Sequence, residues 1–119
     1  MIVIVCRTRL FGADLLELAG GYGSVRNVLS TQDGSISEVL SELSSILVSH
    51  NIRTVIYEPS CFIDPAPFRT LSPSTRFIVV SAPGEEPSVR TALLYGANGV
   101  IFKPVRQDEL DGVLTLVAQ

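Results

Sequence analysis

"FIVVSAPGEEPSVRTALLYGANGVIFKPV", residues Phe77–Val105, contains a complete strand–helix–strand unit. The apolar run Phe77 to Val80 reads as a buried strand and ends at Ser81-Ala82. A helix is expected from about Pro87 to Tyr95, with Pro87 in its first turn, where its missing N–H has no partner to lose. Gly96 and Gly99 bracket the turn into a second apolar run, Val100 to Phe102, which ends at Lys103-Pro104. Strands alternating with helical patterns predict βα repeats on a parallel sheet.

The same alternation extends outward in both directions. Upstream, Ile2 to Val5 is a run of branched apolar residues ending in Cys6-Arg7, the composition of a strand covered on both faces. Leu10, Phe11, Asp14, Leu15 and Leu18 then suggest a helical stripe, stopped at Gly20-Gly21-Tyr22-Gly23. A weak strand around Val25 to Leu29 follows. The clearest helix opens at Ser35, which makes a capping-box pattern with Glu38, and places Ile36, Val39, Leu40, Leu43, Ile46 and Leu47 on one face. Thr54 to Tyr57 reads as the third strand, ending at Glu58-Pro59. Pro59, Pro65, Pro67 and Pro73 crowd the next stretch and leave room for only a short helix, about Ala66 to Leu71. Downstream, Leu110, Val113, Leu114 and Val117 share one face of a last helix. Five βα units in one layered domain, residues 1–119, are the expected fold.

The bulk properties agree. At 119 residues, 46% of them apolar and 18% charged, the chain can bury a core and is long enough for one domain. Net charge is −3 with no basic run, which argues against nucleic-acid binding by this segment alone. No apolar stretch approaches a membrane span and no signal-peptide pattern opens the chain, so the expected location is the cytoplasm. Two cysteines do not make a disulfide framework and fit a reducing compartment.

In an open α/β sheet the ligand crevice lies outside the carboxyl ends of the strands. Position alone therefore selects Cys6, Arg7, Glu58, Ser81 and Lys103 as candidate site residues. A carboxylate, two cations and a hydroxyl could sense or stabilise negative charge. They could equally close on one another, with Glu58 paired to Lys103 or to Arg7. Mg²⁺ wants several carboxylate oxygens and only Glu58 offers any, so no metal is expected. Cys6 and Cys61 follow neighbouring strands, but buried cysteine is more often a small apolar filler than a redox centre. His50, just past a helix, reads as a solvated imidazole. Ser60 and Ser81 have no activating base, and no glycine-rich phosphate loop is present, so catalysis is not expected.

The quoted stretch resembles the second half of a response-regulator receiver domain. Ser81-Ala82, Gly96-Ala97-Asn98-Gly99 and Lys103-Pro104 stand where that family has a Ser/Thr-Ala pair, a "GA-x-G" turn and a "KP" strand end. "RTRLFGADLLELA" and Asp33-Gly34 are similar to the first helix and second-helix turn of receivers attached to LuxR/NarL-type DNA-binding regulators. The resemblance implies a doubly wound, flavodoxin-like (βα)5 sheet of strand order 2-1-3-4-5, here with a shortened third helix.

It also implies what has been lost. The acidic pair that holds Mg²⁺ in working receivers falls on Cys6 and Arg7, and the phospho-acceptor falls on Glu58. Ser81 and Lys103 keep residue types that contact a phosphoryl group, whereas the aromatic switch position falls on Val100. Phosphoryl transfer of this kind relies on a metal for charge neutralisation. The expectation is a pseudo-receiver: a phosphorylation-independent regulatory and dimerisation module, the N-terminal domain of an atypical transcriptional regulator that reaches DNA only through a separate effector domain. By resemblance the dimer would form through the fourth helix, fifth strand and fifth helix, with Arg90, Leu94, Tyr95, Arg106, Leu110 and Val113 as candidate contacts. The alternatives are a small-molecule-sensing domain or an adaptor fused to a localisation ATPase.

Overall fold

A computed structural model describes residues 1–19 and 25–117. Strands and helices alternate as β1 (Ile2–Cys6), α1 (Arg9–Ala19), β2 (Val25–Ser30), α2 (Ile36–Ser49), β3 (Thr54–Tyr57), α3 (Ala66–Leu71), β4 (Arg76–Ser81), α4 (Glu86–Leu94), β5 (Gly99–Phe102) and α5 (Gln107–Val117). All neighbouring strands pair in parallel, in the order β2-β1-β3-β4-β5. This is the expected doubly wound sheet. The proposed glycine stop at Gly20–Gly23 lies outside the described residues.

The two-residue period of a strand divides the side chains between two cores. Val3, Val5, Val55, Tyr57, Phe77 and Val79 meet Leu43, Phe68 and Val89 from α2, α3 and α4. Ile4, Cys6, Ile56, Ile78, Val80 and Ile101 meet Leu15 of α1 and Leu110 and Leu114 of α5. Each strand therefore needs apolar residues at consecutive positions, which is why β1 reads as an unbroken branched run. The crowded prolines do confine α3 to Ala66–Leu71, with Pro65 as its N-cap.

Four sequence readings need correction. Leu10 is 75% exposed and Asp14 is exposed. The inward row of α1 is instead Gly12, Leu15 and Ala19, flanked by half-buried Phe11 and Leu18. Gly12 sets this rotation: a Cβ there would lie 2.5 Å from Val28 Cγ1 and 2.7 Å from Cys6 Sγ. On α2, Ser35 caps the helix by accepting from the Glu38 N–H at 3.1 Å, but Ile36 in the first turn stays exposed. His50 is half-buried, not solvated: its N–H still closes the last turn onto Ile46, and its Nδ1 is buried without a hydrogen-bond partner among the described residues.

The last correction is Leu110, placed above on a dimer face. It is fully buried between α5 and the sheet and belongs to the core. At the outer margin of the sheet, the Glu109 carboxylate of α5 accepts the Phe102 N–H of β5.

Candidate functional site

The parallel ladder runs one residue past two strands and fixes both charged groups of the crevice. Glu58 N–H donates to Val5 O at 3.1 Å, which pins Glu58 beside the end of β1. Lys103 N–H donates to Ser81 O at 2.8 Å, just before the cis Lys103–Pro104 peptide. The two side chains then meet across the ends of β3, β4 and β5. Lys103 Nζ donates to Glu58 Oε2 at 2.6 Å, and the Arg7 backbone N–H donates to Glu58 Oε1 at 2.7 Å.

Both oxygens of Glu58 are thus engaged, one by a cation and one by an amide. The pair is largely withdrawn from water, with side-chain exposures of 5% for Glu58 and 28% for Lys103. Burial of a charge is tolerable when it is paired and hydrogen-bonded, and here it is both. Lys103 is further held by the Phe11 ring, whose centroid lies 4.1 Å from Nζ, a cation–π contact.

Arg7 contributes differently from its sequence reading. Its side chain is exposed and makes no hydrogen bond or ion pair among the described residues. The group it gives to the crevice is its amide, while its carbonyl accepts from Ser30 Oγ at 3.2 Å. Of the open alternatives for Glu58, the side-chain ion pair is with Lys103.

Cys6 faces the α1/α5 core and is fully buried, with Sγ 3.5 Å from Leu29 O. Burial, then the nearby Glu58 charge, pushes its thiol up to about 11; the same two causes in the same order put Cys61 at about 11. Both are free, protonated thiols at neutral pH. Ser81 is buried and Ala82 half-buried at the end of β4.

This donor set does not suit Mg²⁺. Among the described residues the only carboxylate at the strand ends is Glu58, its oxygens already committed, while the Cys6 thiol faces the core and Arg7 offers an amide donor. Among the described residues no three His, Cys, Asp or Glu side chains come together as a possible metal site.

Val100 is half-buried against the α2–α4 core, with no ring to rotate. Of the expected dimer contacts, Arg90 and Arg106 are exposed, Leu94 is 82% and Tyr95 53% exposed, and Val113 is half-buried. Arg106 is occupied by a surface ion pair with Asp108 at 3.4 Å. Sequence reasoning missed two residues. Phe11 supports Lys103, and its place in the first helix next to the strand ends was the available signal. Phe102 is 54% exposed although it sits in a strand, because β5 is an edge.

Beside the crevice, α1 and the loops after β4 and β5 enclose an apolar groove of about 440 Å³. Lys103 is shared between the two features.

No family model and no curated protein sequence matches the chain. Solved structures do match over nearly its whole length. A protein assigned to pilus assembly (cpaE) from Burkholderia thailandensis is 18% identical with a TM-score of 0.73, covering 98% of this chain and 96% of that one. The signal receiver domain of an HD domain-containing protein from Pseudomonas fluorescens is 17% identical with a TM-score of 0.74, over 98% and 92%. A response regulator receiver protein from Pseudoalteromonas atlantica is 14% identical with a TM-score of 0.73, over 99% and 97%. The chain has the fold of response-regulator receiver domains.

Proposed function

We propose that this domain is a pseudo-receiver, a regulatory module that works without taking up a phosphoryl group. The observation that carries the reading is the Glu58–Lys103 pair at 2.6 Å, with the Arg7 amide on the second carboxylate oxygen. An acceptor carboxylate has to present a free oxygen to an incoming phosphorus beside a metal that neutralises the donor. Glu58 presents neither condition. Its pairing holds the ends of β1, β3 and β5 in a single arrangement, so the output face is set by the sequence and not by a phosphoryl switch.

That face is α4, β5 and α5, where Arg90, Leu94 and Tyr95 are exposed and Val113 is half-exposed. It pairs two copies of the chain, in the cytoplasm of a bacterium, within a regulator that acts on transcription through a separate DNA-binding domain. A second reading is favoured by the likeness to a protein assigned to pilus assembly. In that reading the same face docks the domain as an adaptor attached to a localisation ATPase.

The deciding experiment is incubation with acetyl phosphate and Mg²⁺, followed by intact mass. The mass stays unchanged; a stoichiometric, hydroxylamine-labile phosphoryl adduct overturns the reading. Light scattering on the eluting domain gives twice the monomer mass, and a strict monomer at high concentration removes the dimer from it.

A further inference from the structure

Tyr57 is fully buried at the end of β3, and its hydroxyl has no hydrogen-bond partner among the described residues. The charged side chains nearby are already engaged. Asp64 Oδ1 accepts the Ala66 N–H at 2.9 Å, and Arg69 donates to Gly96 O and Asn98 Oδ1. Buried polar groups are nearly always paired, and one that is not favours any state in which it meets water.

The segment Phe62–Asp64 covers this tyrosine. It runs from the turn that the Cys61 N–H closes onto Glu58 O at 3.0 Å to the start of α3. The Phe62 ring stacks on that of Tyr57, with centroids 4.1 Å apart and planes 11° from parallel, and leans on Phe68 at 4.9 Å. Ile63 packs on the same core. The backbone adds nothing: no N–H or C=O of Phe62, Ile63 or Asp64 makes a hydrogen bond among the described residues. Lifting the segment therefore breaks ring contacts but no backbone hydrogen bond, the mark of a part that opens locally. Exposing the Phe62 ring costs free energy, while hydrating the Tyr57 hydroxyl and freeing the backbone return it. These contributions are of similar size and oppose one another. We propose that Phe62–Asp64 is a strap poised between a closed and an open state, with the Tyr57–Phe62 stack as its latch and the dry Tyr57 hydroxyl as the load that opens it. Opening uncovers Tyr57 and Phe68 beside the crevice while Glu58 stays paired, so the domain has a second state that calls for no phosphoryl group.

The inference stands apart from the phosphorylation reading, because no step of it involves Glu58 accepting a group. It is tested by alkylating the native domain with iodoacetamide and following each cysteine by peptide mass. Cys61 directly precedes the strap and is 4% exposed, whereas Cys6 is fully buried in the other core. Burial raises both thiols to about 11, so their intrinsic reactivities match. Cys61 should react about tenfold faster than Cys6, at a rate that low urea hardly changes. Tyr57→Phe, which removes the dry hydroxyl and keeps the ring, should slow Cys61 about tenfold. Phe62→Leu, which removes the latch, should speed it severalfold; where that variant fails to fold, the wild-type and Tyr57→Phe rates decide. The proposal is overturned if Cys61 reacts only as fast as Cys6 and with the same urea dependence, since both thiols then wait for global unfolding. It is equally overturned if Tyr57→Phe leaves the Cys61 rate unchanged or raises it, which would show that the hydroxyl is satisfied in the closed state.

Discussion

The guanidinium of Arg69 holds the side-chain oxygen of Asn98 at 2.8 Å, and the same oxygen accepts the Phe77 backbone N–H at 2.9 Å. Asn98 in turn donates its own N–H to Phe77 O at 2.7 Å. Arg69 also donates to Gly96 O at 2.6 Å and lies 5.3 Å from the Phe77 ring centroid. The short α3 thereby fastens the turn between α4 and β5, on the face proposed to make contacts. Arg69→Ala should cost about 1–2 kcal/mol, the scale of one or two charge-assisted hydrogen bonds at a half-buried site. Hydrogen exchange of the backbone around Gly96 to Val100 should quicken in that variant more than exchange in β1 or β3. Unchanged exchange there would show that the turn holds without Arg69.

Glu58 and Lys103 should behave asymmetrically on mutation. Lys103→Met strands a buried carboxylate that keeps only the Arg7 amide, and the expected loss is about 2–4 kcal/mol in urea unfolding. Adding Glu58→Gln removes the stranded charge, so the double variant should recover a good part of that loss. Additive single effects would mean that the pair is not energetically coupled.

Gly12 offers a test of close packing. Alanine is the better helix former by about 1 kcal/mol, yet its methyl group would press on Val28 and Cys6, two side chains fixed in the core. Overpacking costs about 1–3 kcal/mol and should win. Gly12→Ala is expected to lower the unfolding midpoint, and Gly12→Ala with Val28→Ala to recover part of the difference. A Gly12→Ala domain more stable than wild type would show that α1 can shift outward freely.

Alkaline pH should destabilise the domain in a defined window. Cys6 and Cys61 titrate at about 11 in the folded state, against an ordinary value of 9.0. Their folded pKa lies above the unfolded one, so the unfolded chain releases these protons first. The stabilisation is complete below pH 9 and is lost as pH climbs through 11. Two pKa units amount to about 2–3 kcal/mol per thiol. Tyr57, also raised by burial, extends the decline to higher pH. Urea midpoints should fall between about pH 9 and 11, and less so in Cys6→Ala/Cys61→Ala, where an equal fall would assign the effect to other groups.

The element pattern was legible because the strands need unbroken apolar runs and the turns need Gly or Pro. Ala66–Leu71 followed from prolines alone, and Thr54–Tyr57 from a run ending at a proline. Periodicity failed at α1, where a glycine chose the buried face: a hydrophobic count gives Gly12 no weight, so Leu10 took its place. At Leu110 the period was right, placing it on the apolar face of α5, and it was the resemblance that misnamed this core residue as a dimer contact. At the site, strand ends pointed to Glu58 and Lys103, two side chains that the fold brings together. The sequence did not indicate that Arg7 would act through its amide, because a backbone donor leaves no signature in residue type.

The Glu109 carboxylate on the Phe102 N–H also bears on how copies of the chain can associate. An edge strand with a vacant donor invites another strand to join it, and a chain of such additions polymerises. Here α5 spends a carboxylate to occupy that donor, next to the end of β5. That occupied donor steers another strand away from continuing the sheet at β5.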